Sequence, residues 1–150
     1  MQIRVAISAD AKSISDLIQS LSQPFFTFPD GSGAELFLKS ISKESIVKYI
    51  AAENFSYYVG EAEGRIIGVV AIRDNRHLYH LFVVASLQKK QLGRQLWEYA
   101  KRVAMSLGNP GEFTVNSSMN AVPVYEAFGF KATREALINS SPQAPVNAPS

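Results

Sequence analysis

Phe82-Val83-Val84-Ala85-Ser86-Leu87-Gln88-Lys89-Lys90-Gln91-Leu92-Gly93-Arg94-Gln95-Leu96 is the stretch on which the reading of this chain turns. It opens inside the apolar run Leu81 to Val84, which reads as the end of a strand. It closes on a helix, because Leu92, Leu96, Tyr99 and Val103 recur at helical spacing. A helix start leaves about four backbone N–H groups unpaired and carries about half a positive charge, so phosphate oxygens satisfy both at once. Gly93 lets the backbone approach a ligand closely, and Lys89, Lys90 and Arg94 offer charge-assisted bonds. Taken alone, the segment reads equally well as an ordinary basic helix start.

The charge distribution points to the same place. The chain carries 15 Lys and Arg against 13 Asp and Glu, a net +2. From Ser86 to Val103, Lys89, Lys90, Arg94, Lys101 and Arg102 face Glu98 alone, a local +4. A single basic cluster suits a small polyanion, whereas a nucleic acid would need a wider basic surface. With 150 residues, 47% apolar and 19% charged, the chain has the material for one domain with a real core. No apolar run approaches the ~18 residues of a membrane span, and Ser8 and Asp10 break the N-terminal apolar pattern, against a signal peptide. The absence of cysteine excludes disulfides and thiolate nucleophiles and fits a cytoplasmic location. With His77 and His80 as the only histidines, no metal site is expected.

Outward from the opening stretch, residues 3–7 alternate like a first strand, and Asp10 offers a cap to a helix whose stripe is Ile14, Leu17, Ile18 and Leu21. Residues 24–33 form an aromatic loop holding Phe25, Phe26 and Phe28. Ile41, Ile46, Val47 and Ile50 predict a helix starting near Ser42. Residues 55–61 and 65–72 read as strands joined by a Glu63-Gly64 hairpin, and Asp74-Asn75-Arg76 turns into a third, residues 77–84. After the helix that starts at Leu92 comes a short strand, residues 112–116, which a helical crossover makes parallel to its predecessor. A last helix spans residues 120–128, stopped by Gly129, and residues 131–138 read as one strand. The domain is expected over residues 1–139, with residues 140–150, holding three prolines and no charge, as a loose tail.

Phe82-Val83-Val84 followed by Gln88-x-x-Gln91-x-Gly93-Arg94 resembles the acyl-CoA loop of the GNAT N-acetyltransferase superfamily, whose pattern is Arg/Gln-x-x-Gly-x-Gly/Ala. Downstream, Asn120-Ala121-Val122-Pro123-Val124-Tyr125-Glu126-Ala127-Phe128-Gly129-Phe130 is similar to that family's second signature. The order of strands and helices agrees from Ile3 to Phe130. The sequence departs at Gln91, where the family has its first glycine, and after residue 138, where the family adds a closing strand. The resemblance implies an α/β fold, with a central mixed sheet, mostly antiparallel, flanked by helices and holding one splayed parallel pair. It also implies acetyl-CoA as cosubstrate, with no metal, and transfer of its acetyl group to a primary amine on a small molecule or peptide.

The cofactor positions carried over are Phe82, Val83, Val84, Gln88, Lys89, Lys90, Gln91, Leu92, Gly93, Arg94 and Asn120. The backbone of Phe82 to Val84 would polarise the thioester carbonyl through donors already fixed in place. Tyr125 matches the family's general acid, and also reads as a core aromatic spaced i, i+3 from Phe128. Asn120 reads as a cofactor ligand, a helix cap, or both. The fourth strand lacks the family's frequent Glu; His80 is the candidate base, with a hydrogen-bonded structural histidine as the equal alternative. Phe25, Phe26 and Phe28 are candidates to wall the acceptor site, whereas Tyr57, Tyr58 and Tyr79 are expected mostly in the core. Two functions remain open: an acyltransferase working by direct attack, and a non-catalytic acyl-CoA sensor on the same fold. If no strand follows residues 131–138, the exposed edge invites a homodimer through the C-terminal region.

Overall fold

The computed structural model describes residues 1–22, 35–115, 125, 127–132 and 137–140. Among them the strands are β1 (Gln2–Val5), β2 (Phe55–Ala62), β3 (Arg65–Arg73), β4 (His77–Val83), β5 (Glu112–Val115), β6 (Phe130–Ala132) and β7 (Leu137–Ser140). The helices are α1 (Ala11–Ser22), α2 (Glu35–Ser40), α3 (Lys43–Ala51) and α4 (Leu92–Ser106). The strands form one sheet in the order β1-β2-β3-β4-β5-β7-β6, antiparallel except for the parallel β4–β5 pair. This is the expected α/β architecture.

Glu63 and Gly64 both take positive φ, the twist a two-residue hairpin needs to join β2 to β3. Asp74 and Asn75 do the same before β4. Asn109 then locks that turn to the α4–β5 connection: its side-chain amide donates to the carbonyls of Asn75 (2.7 Å) and Glu112 (3.0 Å). α3 starts where expected, and Ser42 caps it, its hydroxyl accepting from the Ser45 N–H. The six-residue α2 has no sequence forecast, being too short to show a periodic stripe.

Three expectations need correction. Asp10 does not cap α1 by reaching forward. Its carboxylate reaches back, accepting from the Ile7 N–H (2.8 Å) and from both terminal nitrogens of Arg4 (2.9 and 3.0 Å). The single strand expected over residues 131–138 is two strands, β6 and β7, paired antiparallel. No glycine, proline or Asn-Asp turn signal interrupts that stretch, so its break is invisible to turn chemistry. Ser140, expected to open the tail, is the last residue of β7. The edge changes accordingly: β7 has β5 on one side and β6 on the other, and this end of the sheet is the three-residue β6. Residues 141–150 lie outside the described residues.

Each sheet face has its own core. On one, α4 buries Leu96, Trp97 and Ala100 against Val70, Leu78 and Phe113. On the other, α1 and α3 bury Ile14, Ile18 and Ile46 against Val59, Val69 and Ala71. Each fully buried side chain of this size contributes about 1.5–3 kcal/mol relative to exposure, so the helices are held mainly by these faces.

Candidate functional site

Among the described residues β4 and β5 pair at His77↔Thr114 and Leu78↔Val115. Beyond Leu78, β4 keeps β3 as partner as far as Gly68↔Val83, and among the described residues none of β5 pairs with it; the side of Tyr79–Val83 facing away from β3 is the candidate opening. The His77 ring bridges the first of the two β4–β5 pairs, its Nδ1 2.7 Å from the Thr114 hydroxyl.

Register decides which backbone groups face the opening. The Val84 N–H donates to the Ile67 carbonyl (2.9 Å), so Val84 and, by antiparallel alternation, Phe82 and His80 direct their N–H groups at β3. Leu81 and Val83 direct theirs the other way. Of the three positions read from the sequence, only Val83 can therefore offer its N–H to a ligand there, and Leu81 joins it. The signal for Leu81 was the same apolar run, read without the register. Gln88 Nε2 donates to the Val83 carbonyl (3.1 Å), tying the loop to the end of the strand.

A 3-10 turn, Ala85–Lys90, leads from β4 to α4 and includes Lys89 and Lys90. Gln91 follows at φ 66°, ψ 11°, a left-handed conformation that glycine adopts without strain. The loop makes the turn with a glutamine at a conformational cost of about 1–2 kcal/mol. Among the described residues no side chain caps the start of α4, and its first turn carries no acidic residue, an arrangement that favours an anion at the N–H groups around Leu92 and Gly93. A Cβ at Gly93 would meet only ordinary contacts, 3.8 Å from Phe128 and Val83, so internal crowding does not require glycine there. Arg94 is partly committed: its guanidinium donates to the Ala127 carbonyl (2.9 Å) and lies 5.2 Å from the Phe128 ring centre.

Tyr125 and Ala127 are helical, and Gly129 at φ 101° ends that turn. The Tyr125 ring lies 6.3 Å from Phe128 and 5.8 Å from Phe130, packed against the α4-side core. Burial pushes its phenol up to about 12, so it stays protonated at every working pH. Asn120, Phe25, Phe26 and Phe28 lie outside the described residues.

The opposite face of β4 carries His80. The register shift between Ala71 and Ile72 makes Tyr79 an extra residue, so Tyr79 and His80 both point toward the α1–α3 core, with Phe82 beyond. His80 is 7% exposed, and Tyr57 Oη lies 3.1 Å from its Nδ1. Burial pushes the imidazole down to about 3, which works against its role as base: a proton taken from an ammonium group is poorly held there. Tyr57 and Tyr58 are buried on opposite faces of the sheet, as core residues.

The family model of the acetyltransferase (GNAT) domain matches residues 27–140. None of the curated proteins matches the sequence significantly. Among solved structures, the fold is similar to the PaiA N-acetyltransferase of Thermoplasma acidophilum in complex with coenzyme A. That match has a TM-score of 0.75 at 16% identity, covering 94% of this chain and 100% of that one. An aminoglycoside 6'-N-acetyltransferase complexed with coenzyme A matches at TM-score 0.71 and 14% identity, covering 93% of this chain and 97% of the other. A GNAT-family acetyltransferase of Staphylococcus aureus Mu50 matches at 0.69 and 12%, covering 93% and 98%.

Proposed function

Because this chain belongs to the GNAT acetyltransferase family, we propose that it moves an acetyl group from acetyl-CoA to a primary amine by direct attack on the thioester. The observation that carries this reading is the outward side of β4 beyond the last described β4–β5 pair, Leu78↔Val115, together with the start of α4, which has no side-chain cap among the described residues. These features fit acetyl-CoA: outward N–H groups at Leu81 and Val83, an acid-free helix start, and the basic residues Lys89 and Lys90 in the turn leading to it.

Bound acetyl-CoA supplies the activated thioester. In the proposed mechanism the N–H groups of Leu81 and Val83 donate to its carbonyl and pantetheine, stabilising oxyanion charge as the amine attacks. The backbone N–H groups from Gln91 to Arg94 hold the pyrophosphate. The C–N bond forms, the C–S bond breaks, and Tyr125 gives its proton to the departing thiolate; the amine's proton passes to water. With the phenol near 12 and a free thiol near 8.5, that transfer is uphill by about 5 kcal/mol in isolation. Burial raises a thiolate's proton affinity too, which narrows the gap in the closed site. With no cysteine in the chain, direct transfer needs no acyl-enzyme thiol.

The acceptor is a small-molecule or peptide amine, a class to which the aminoglycoside substrates of one structural neighbour also belong. A cytoplasmic location and a homodimer contacting through the C-terminal region complete the reading; light scattering at micromolar concentration tests the dimer, and a clean monomer mass rejects it. The decisive experiment follows CoA release from acetyl-CoA over a panel of primary amines. Release with at least one amine supports the transferase, and Tyr125→Phe then lowers kcat by about 10²–10⁴-fold while acetyl-CoA affinity stays nearly intact. Tight acetyl-CoA binding without release from any amine supports the sensor instead.

A further inference from the structure

The Tyr57–His80 pair is the buried polar group that the mechanism above leaves unused. Nδ1 of His80 is 3.1 Å from the Tyr57 hydroxyl, and no other partner of the ring nitrogens is found among the described residues. One of the two groups must donate. If Tyr57 donates, Nδ1 accepts and the imidazole carries its single proton on Nε2. If His80 donated instead, the Tyr57 hydroxyl hydrogen would need a second acceptor in a place where Tyr57 is 3% exposed. The first arrangement leaves the fewer buried groups unpaired. His80 also sits just past the extra residue Tyr79, where β4 resumes its pairing as Ala71↔His80, and directly before Leu81, whose N–H faces the opening.

We propose that His80 is a positioning residue: a neutral, Nε2-protonated imidazole that accepts the Tyr57 hydroxyl and pins the bulged strand so that the Leu81 N–H faces the β4–β5 opening. It does not take the acceptor's proton. Its functional side rests on the acetyl-transfer reading, but the pair itself can be tested without any acceptor. Among the described residues the titratable groups around it are tyrosines, Tyr57 on β2, Tyr79 beside it at a ring-centre distance of 4.3 Å, and Tyr49 on α3, 5.6 Å from Tyr79, with the Arg73 guanidinium 5.6 Å from the Tyr79 ring centre. Burial holds Tyr57 and Tyr79 protonated, and burial alone accounts for the depressed basicity of His80, with no charged neighbour contributing.

The test is nitrogen-15 NMR of the histidine ring in the intact protein from pH 5 to pH 9. The expected result is one unchanging signal set for His80, with protonated Nε2 and bare Nδ1, while Tyr57→Phe redistributes the proton between the nitrogens and shifts the Leu81 amide. Gain of a second proton within that range, a proton on Nδ1, or ring signals indifferent to Tyr57→Phe would overturn the assignment. Where an amine supports turnover, His80→Gln keeps an acceptor for Tyr57 but cannot titrate. Its acidic limb of kcat/KM is expected to coincide with that of the wild type, and a displaced limb would return His80 to the base role. Failure of every amine rejects the transferase and leaves the NMR result standing.

Discussion

Gly68 sets how closely α4 lies on the sheet, and Gly68→Ala tests that seat. A Cβ there would stand 2.7 Å from Leu96 Cδ1 and 3.2 Å from the Phe82 carbonyl oxygen. Leu96 is fully buried, so its Cδ1 can yield only by a change of rotamer inside a packed core, and the carbonyl belongs to the β4 backbone. Overpacking of this kind costs about 1–3 kcal/mol, against a gain of about 0.4–1 kcal/mol from the stiffer unfolded chain. A net loss of about 1–2 kcal/mol corresponds to a fall in Tm of roughly 2–8 °C for a chain this long. The assay is thermal and urea unfolding of Gly68→Ala, of Leu96→Ala, and of the double variant. Leu96→Ala alone costs about 2–5 kcal/mol through its cavity, and in that background Gly68→Ala is expected to be neutral within about 0.5 kcal/mol. Acetyl-CoA affinity is expected to fall with the single change, since displacing α4 moves its start away from Val83. A Gly68→Ala protein as stable as the wild type, or additive losses in the double variant, would refute this packing.

Two further perturbations follow. Gln91→Gly relieves a left-handed glutamine worth about 1–2 kcal/mol and costs about 0.5–1 kcal/mol in chain entropy; urea unfolding is expected to show no change or a gain of up to about 1.5 kcal/mol, whereas Gln91→Val destabilises. The bonds from Arg4, and then the Ile7 N–H, hold the Asp10 carboxyl below its usual value, outweighing the opposing effect of burial. A depressed folded-state value contributes stability that is present above about pH 4 and lost as pH falls through the folded value. Asp10→Asn is therefore expected to cost about 1–3 kcal/mol at pH 7, with wild type and variant converging toward pH 2 in urea titrations.

Much of the fold is legible because its signals are local. The Glu63-Gly64 and Asp74-Asn75 turns, the Ser42 cap and the Leu92-Leu96-Tyr99-Val103 stripe each declare an element within a few residues. What could not be read depends on partners distant in sequence. Asp10 itself bonds Ile7 and Arg4, three and six residues back, but Arg4 is also held by Glu61 of β2, a partner supplied only when β1 pairs with β2. The division of residues 131–138 between β6 and β7, with β7 also paired to β5, has no glycine, proline or Asn-Asp signal in the sequence. At the site, the spacing of Gln88, Gln91 and Gly93 located the loop, but only the β3 register tells that Leu81 and Val83, rather than Phe82 and Val84, face the opening. Strand alternation alone puts His80 on the face of Phe82; its burial against Tyr57, contributed by a strand 23 residues away, is a tertiary fact.

The proposed site makes its sharpest claim about backbone amides, and a proton–nitrogen-15 correlation spectrum recorded through a titration with acetyl-CoA reads them one by one. The expected result is large shifts at Leu81, Val83 and Gly93, with Phe82 and Val84, already bonded to β3, moving little. Largest shifts at the far end of the sheet, around β1 and the start of β2, or no saturable shift in Leu81 and Val83, would contradict the assignment of this opening to acetyl-CoA.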